Sequence, residues 1–197
     1  MFTGIITDKG TVRKIENKGL LRIDIQTSYP TSEIVLGSSI ACDGVCLSVV
    51  ALQGHYFTVE VSMETQKCTN ISTWKAGTVI NLERSLKVGD EMGGHFVSGH
   101  VDAVTTIKDR VTDAGSLQLF VGIPPSLGGF IAAKGSITIN GVSLTVNHVS
   151  EGVFQVNLIP ITQQKTNLGL LRIGSLVNIE IDMLARYLAN YLKGHGR

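Results

Sequence analysis

The sequence predicts an all-β protein made of two tandem six-stranded Greek-key barrels with a C-terminal α-helix. Three observations predict it. The first is an internal repeat. Sliding the chain by 97 positions lays Ser39–Val49 (SIACDGVCLSV) on Ser136–Val146 (SITINGVSLTV). The register then runs without a gap: Phe57 falls on Phe154, Val59 on Val156, Thr65-Gln66 on Thr162-Gln163, Thr69-Asn70 on Thr166-Asn167, Gly77 on Gly174, Asn81 on Asn178 and Glu83 on Glu180. The period exceeds that of solenoid and propeller repeats and is near the size of a domain, so the expected division is 1–97 and 98–194. The second observation is composition. Charged residues make up 17% of the chain, below the usual share of about a quarter, while Val, Ile, Thr and Gly abound, as in a buried β protein. The third is a succession of short alternating runs separated by glycine-marked turns, the pattern of a small closed barrel.

The elements follow in order. Leu20–Gln26 alternates after its first residue, and Tyr56–Val61 alternates throughout. Asp43-Gly44 lies between such runs and predicts a tight hairpin turn. Lys75-Ala76-Gly77 precedes a further strand, Val79–Glu83. The second copy repeats the scheme with Leu117–Val121, the Asn140-Gly141 turn, Phe154–Ile159, and Arg172-Ile173-Gly174 ahead of Leu176–Glu180. Pro124–Lys134 has room for one or two helical turns. The clear helix is 183–193, with Asp182 as N-cap and Gly194 as stop. Leu184, Tyr187, Leu188, Tyr191 and Leu192 form one apolar stripe along it. That stripe fits a helix lying on its own barrel or one packing against copies of itself.

A net charge of +1 and the lack of long Lys/Arg runs argue against a nucleic acid or an anionic membrane as partner. Cys42, Cys46 and Cys68 are an odd set without disulfide spacing. A Cys42/Cys46 metal pair lacks the spacing and further ligands of a zinc site. No signal-peptide pattern opens the sequence, and no apolar run approaches a membrane span. The expected location is the cytoplasm.

Five motifs carry a resemblance: MFTGI (1–5), DGVCLSV (43–49), GGHFVSGHVD (93–102), KGSITINGVSLTV (134–146) and VNIEID (177–182). In order and in both repeats, they resemble the riboflavin synthase family of the α-chain type, across essentially the whole chain. The resemblance implies a homotrimer held partly by a bundle of three C-terminal helices, and it points to an association with lumazine synthase. It implies a dismutation. Two molecules of 6,7-dimethyl-8-ribityllumazine exchange a four-carbon unit, giving riboflavin and 5-amino-6-(D-ribitylamino)uracil, without a metal or redox cofactor. One lumazine sits on the N-terminal barrel of one subunit and the other on the C-terminal barrel of its neighbour. The alternative is a lumazine protein, a non-catalytic antenna with the same double barrel. A reductase-type flavin barrel would need a nucleotide-binding second domain, whereas this sequence repeats its first.

Two like heterocycles must meet in opposite orientations, and two homologous pockets can present them so. Such positioning supplies roughly 7 to 11 kcal/mol. His100 is the first candidate acid or base by residue type; at a spacing of 97 it falls opposite Thr3. The resemblance makes His100, Ser39, Cys46, Thr3 and Asp182 the catalytic set. Asp182 is also explained by helix capping alone. The resemblance further implies a substrate site of Gly4, Ile5, Ile6, Gly99, His100, Val101 and Lys134, with Cys46, Leu47 and Ser48 on the ring in one pocket and Ser143, Leu144 and Thr145 in the other. Glu60, Val61, Ser62, Met63, Glu64 and Thr65, matched by Asn157, Leu158, Ile159, Pro160, Ile161 and Thr162, close over the ring and bind the ribityl chain. Glu64 can accept hydrogen bonds from ribityl hydroxyls and its counterpart Ile161 cannot. His95 is read as positioning its loop and is placed outside the site.

Overall fold

The structure, a computed structural model, describes the backbone of residues 1–195. The first barrel comprises β1 (Asp8–Lys18), β2 (Leu20–Gln26), β3 (Ser39–Cys42), β4 (Val45–Gln53), β5 (Tyr56–Val61) and β6 (Val79–Arg84), with helix α1 (Met63–Cys68) between the last two. The second comprises β7 (Ala103–Asp113), β8 (Ser116–Gly122), β9 (Ser136–Ile139), β10 (Val142–Ser150), β11 (Val153–Leu158) and β12 (Leu176–Ile181), with α2 (Pro160–Lys165) in the matching place; α3 (Met183–His195) follows. Each sheet closes on itself, in the order β1-β2-β5-β4-β3-β6 and its equivalent. Every neighbouring pair is antiparallel, and the β2–β5 and β3–β6 crossings make the Greek key.

The alternating residues face inward. Ile23, Ile25, Phe57, Val59, Ile80 and Leu82 fill one barrel, and Leu119, Val121, Phe154, Val156, Val177 and Ile179 fill the other, all fully buried. Both hairpin turns have two successive residues at positive φ, Asp43 (47°) and Gly44 (79°), then Asn140 (45°) and Gly141 (79°), the signature of a type I′ turn. Bulges recur at matching places, Val49/Ala51 and Val146/His148, and bend the strands round the barrel.

A pseudo-twofold axis relates the barrels. It passes between Phe2 and Val97, which exchange backbone hydrogen bonds of 2.8 and 3.1 Å. It passes again between Gly44 and Gly141, where a Cβ on either would lie 2.6–2.7 Å from the other's backbone nitrogen. Around it runs a buried amide network. Asn81 Nδ2 donates to Asn140 O and to Asn167 Oδ1, and Asn178 Nδ2 donates to Asp43 O and to Asn70 Oδ1. Asp43, the carboxylate in this ring of amides, is buried, and desolvation pushes its pKa up to about 7 against the hydrogen bonds from Asn81, Asn167 and Asn70.

The structure corrects three expectations. The spacing of 97 holds from β3 onward but not at the start of each copy. Thr3 N and Ser98 N donate to the paired residues Glu83 and Glu180, so Thr3 matches Ser98, 95 residues on, and His100 matches Ile5. The second copy has gained one residue in its first hairpin turn, Ala114-Gly115 against the single Gly19, and one more before β9. Loop insertions leave the strands intact while breaking a fixed register. Second, short helices α1 and α2 follow β5 and β11 where no helix was expected. They are single solvent-exposed turns without an apolar stripe. Third, α3 runs through Gly194 to His195, within the usual variation of helix ends. Pro125–Phe130 forms 3-10 turns, inside the predicted helical stretch.

Asp182 caps α3, its Oδ1 accepting from Leu184 N at 2.9 Å. The helix does not lay its stripe on its own barrel: Leu184, Tyr187, Leu188, Tyr191 and Leu192 are all 59–67% exposed.

Candidate functional site: two matched cavities

Two cavities of about 200 Å³ stand in matching places on the two barrels. The first is lined by Val45, Cys46, Glu64, Thr65, Cys68, Thr69, Gly99, His100 and Val101. The second is lined by Val142, Ser143, Ile161, Thr162, Lys165, Thr166, Gly4, Ile5 and Ile6. Taken in those orders, each residue is the structural counterpart of the other. Each cavity has three walls: the start of a strand (β4 or β10), a short helix (α1 or α2), and an extended leader ahead of the other barrel.

The leaders cross. Gly4–Ile6 precede the first barrel yet sit on the second, where Ser143 N donates to Gly4 O at 2.8 Å. Gly99–Val101 precede the second barrel and sit on the first, where Cys46 N donates to Gly99 O at 2.9 Å. Both glycines are at positive φ, 78° and 80°, and a Cβ on either would lie 2.6 Å from the Cβ of Ser143 or Cys46. Glycine is required there by backbone conformation and by the close approach. Behind the leaders, Glu83 and Glu180 accept from Thr3 and Gly4 and from Ser98 and Gly99. Burial raises both carboxyls, and those hydrogen bonds oppose the rise.

The linings differ in chemistry. Cys46 faces the first cavity where Ser143 faces the second. Glu64 and Cys68 sit together at the first, with Cys68 Sγ 3.4 Å from Glu64 Oε1; the carboxylate holds the thiol above its usual range. Their counterparts Ile161 and Lys165 give the second cavity a cation and no carboxylate. His100 stands exposed at the first, and Ile5 replaces it at the second. A different histidine, His95, is outside the lining of the second cavity but bonds to its serine. His95 Nδ1 is 2.7 Å from Ser143 Oγ, and Nε2 is 3.3 Å from Thr138 Oγ1. Burial lowers its pKa, opposed by the charge of Asp182.

Among the expected site residues, Gly4, Ile5, Ile6, Cys46, Glu64, Thr65, Gly99, His100, Val101, Ser143, Ile161 and Thr162 line the two cavities. Others do not. Leu47, Val61 and Leu158 turn their side chains into the barrel cores, because strand alternation sends neighbours of a cavity-facing residue inward. Thr3 is buried on Glu83 behind the leader. Ser39 pairs with Ser48 across β3 and β4, outside the cavity lining. Glu60 pairs with Arg22 at 3.4 Å, Ser62 caps α1 through Thr65 N, Asn157 reaches Ser116 Oγ at 3.3 Å, and Pro160 opens α2. Met63 and Ile159 are exposed, Leu144 is half-buried, and Thr145 pairs with Ser136. Lys134 is exposed at φ 68°, where the first barrel has Gly37 at 82°. Val45, Val142, Cys68, Lys165, Thr69 and Thr166 are lining residues that the sequence reading missed, and His95 is a contact that it missed. Cys68 and Lys165 follow the matched Glu64 and Ile161 by one helical turn, which is the signal that could have found them. A third space of about 640 Å³, larger than either cavity, lies under residues 85–93 and is walled by Tyr29, Glu33, Arg84 and Lys87 among others. It shares only Ile5 with the matched pair.

Two lumazine-binding domains account for this doubled architecture: the family model of that description matches residues 3–85 and 98–182. Solved structures of LumP agree in shape. The complex with riboflavin superposes at a TM-score of 0.84 with 26% identity, covering 92% of this chain and 99% of that one. The complex with 6,7-dimethyl-8-(1'-D-ribityl) lumazine gives 0.82, with the same identity and coverage. Among curated proteins, the riboflavin synthase of Brucella abortus is 48% identical over 98% of this chain and all of its own length. That of Bacillus subtilis is 38% identical over 98% of this chain and 90% of its own. The chain belongs to the riboflavin synthase family.

Proposed function

We propose that this chain catalyses the dismutation of 6,7-dimethyl-8-ribityllumazine, passing a four-carbon unit from one molecule to a second and releasing riboflavin and 5-amino-6-(D-ribitylamino)uracil. The observation that carries the reading is the residue-for-residue correspondence of the two cavities. Equivalent walls suit two copies of one ligand, which come to face each other in opposite orientations where the first cavity of one subunit meets the second cavity of its neighbour. Holding both in register makes the encounter effectively unimolecular and supplies the largest part of the rate, roughly 7 to 11 kcal/mol.

Proton movement uses what differs between the cavities. The C7 methyl of one lumazine gives up a proton, and the resulting carbanion adds to the second lumazine. Burial lowers the pKa of His95, and the ring stands on Ser143, through whose hydroxyl it can accept a proton from the second cavity. His100 serves at the first, beside Cys46. Asp182 acts through His95 and Thr3 through the leader. The substrate site keeps the walls named above, with Leu47, Ser48, Leu144 and Thr145 continuing the strands beneath the ring, and with Lys134 at its edge.

The working form is a homotrimer. The first cavity of one subunit meets the second cavity of its neighbour, and the exposed stripe of α3 joins the three copies. The units are 1–97 and 98–194, the location is the cytoplasm, and lumazine synthase is a partner. No helix among the described residues is long and apolar enough to cross a membrane.

The purified chain, given the lumazine alone, is expected to consume two molecules for each riboflavin formed. Stable binding without turnover would instead mark a non-catalytic antenna protein. His100→Ala is expected to reduce turnover far more than binding; unchanged turnover removes it from the mechanism.

A further inference from the structure

Each leader is held from behind by one buried carboxylate, and the carboxylate belongs to the barrel opposite the cavity that the leader walls. Glu83 ends the first barrel on β6. Its Oε1 accepts from Thr3 N at 2.7 Å and Thr3 Oγ1 at 2.9 Å, and its Oε2 accepts from Gly4 N at 2.9 Å. Gly4 in turn takes the Ser143 amide and lines the second cavity. Glu180, on β12 of the second barrel, repeats the arrangement: Oε1 accepts from Ser98 N at 2.7 Å and Ser98 Oγ at 2.6 Å, and Oε2 from Gly99 N at 3.0 Å. Gly99 takes the Cys46 amide and lines the first cavity. The two carboxylates are 5% and 3% exposed, so little solvent competes for their lone pairs. A carboxylate offers both oxygens as acceptors; an amide in the same place would point two donor hydrogens at a backbone N–H.

We infer that Glu83 and Glu180 are crossed positioning residues: Glu83 of the first barrel sets the wall of the second cavity, and Glu180 of the second barrel sets the wall of the first. Neither lines either of the two matched cavities; Glu83 borders the larger space under residues 85–93. Each acts through two links, carboxylate to leader and leader to the strand that bears Ser143 or Cys46. The leader has little freedom otherwise, since its glycine is pressed against that strand. A carboxylate that lets go moves the wall and leaves its own barrel closed, because the leader lies outside the β1–β6 and β7–β12 ladders.

The test uses E83Q and E180Q in the full chain, with riboflavin as the ligand and Cys46 as a reporter of the first cavity. Riboflavin is expected to protect Cys46 from iodoacetamide in the parent, read on the Cys46 peptide by mass spectrometry. In E180Q the concentration needed for protection is expected to rise about tenfold or more, the scale of a lost charged hydrogen bond. In E83Q it is expected to stay within about twofold, as for distant sites, while total flavin bound per chain falls through loss of the second cavity. This arm rests on the activity proposed above. A second arm does not: amide exchange of the ligand-free protein should accelerate at Ser143 in E83Q and at Cys46 in E180Q. Failure of the parent to bind riboflavin counts against the activity, and the exchange pattern still decides the positioning. An uncrossed pattern, each variant loosening its own barrel's cavity, overturns the inference, as does equal loss at both cavities with a matching fall in melting temperature. If Gln unfolds the chain, E83D and E180D keep the charge, withdraw it by one methylene, and should show the same crossed pattern.

Discussion

The two cavities agree where residues build the wall and, Thr65 and Thr162 apart, diverge where residues face the space. Val45 and Val142, Thr69 and Thr166, and Gly99 and Gly4 are buried and identical in kind. They pack beneath the short helices, cap the turns that follow them, and seat the leaders. Cys46 and Ser143, Glu64 and Ile161, Cys68 and Lys165, and His100 and Ile5 are partly or fully open to solvent and differ. Duplication supplied one shape twice. Substitution at the exposed positions then made one cavity acidic and thiol-bearing and gave the other a cation and a serine–histidine pair. The dismutation proposed above needs the shape in common and the chemistry unequal, so that one molecule yields a proton and the other receives the carbanion.

The sharpest way to break the comparison is His95→Ala. Ser143 of the second cavity then loses its histidine partner, and turnover is expected to fall about 10²- to 10⁴-fold, the range of a lost acid–base group. Steady-state kinetics beside a riboflavin titration should show the loss in turnover rather than in binding. A fall of less than threefold would return His95 to the role of loop support.

Asp43 against Asn140 tests the axis itself. The unfolded chain releases the Asp43 proton near pH 3.8 and the folded chain near 7. Between those values the folded state binds more protons, so stability falls as pH rises through the window and levels off above it. Each unit of pH there costs up to about 1.4 kcal/mol. Asp43→Asn, which copies the partner position, should flatten that slope and stabilise the protein at neutral pH. Urea denaturation at pH 5 and pH 8 measures it; a slope that survives the substitution means another group titrates.

Ile161→Glu gives the second cavity the acceptor of the first. Ribityl ligands should bind there about three- to tenfold more tightly, by one added hydrogen bond, as read by calorimetry. Weaker binding would mean that the ribityl chain runs past the apolar side chain of Ile161. The smallest effect is expected from Lys134→Gly. The left-handed backbone at Lys134, occupied by Gly37 in the first barrel, disfavours a side chain, and glycine should raise stability by about 1 kcal/mol. A shift in denaturation midpoint with turnover unchanged would mark Lys134 as a turn residue; a loss of turnover would mark it as a ligand contact.

The barrels were legible because their signals are local. Alternation, the Asp43-Gly44 and Asn140-Gly141 turns, and the gap-free match from Ser39 to Glu83 each lie within a hairpin or between strands of fixed length. The pairing of Thr3 with His100 failed because two loop insertions upstream of β9 had slipped the register, and loops leave no periodic trace. His95 was passed over because its partner Ser143 is 48 residues away. The lining roles of Cys68 and Lys165 depend on single helical turns too short to show a stripe. Leu47, Val61 and Leu158 were assigned with their motif neighbours, although in a strand adjacent side chains point to opposite sides. What the motifs located correctly was a segment; which of its atoms look outward is a property of the pleat.

The hydrogen-bonded meeting of Phe2 with Val97 is self-complementary: each end of the chain's two halves offers the other the same edge. Contacts of that kind arise across the axis of a symmetric dimer. A lone ancestral barrel with this geometry would have borrowed its missing wall from a twin, and joining the genes end to end made the loan permanent. Neither half can now be discarded without opening the pocket of the other.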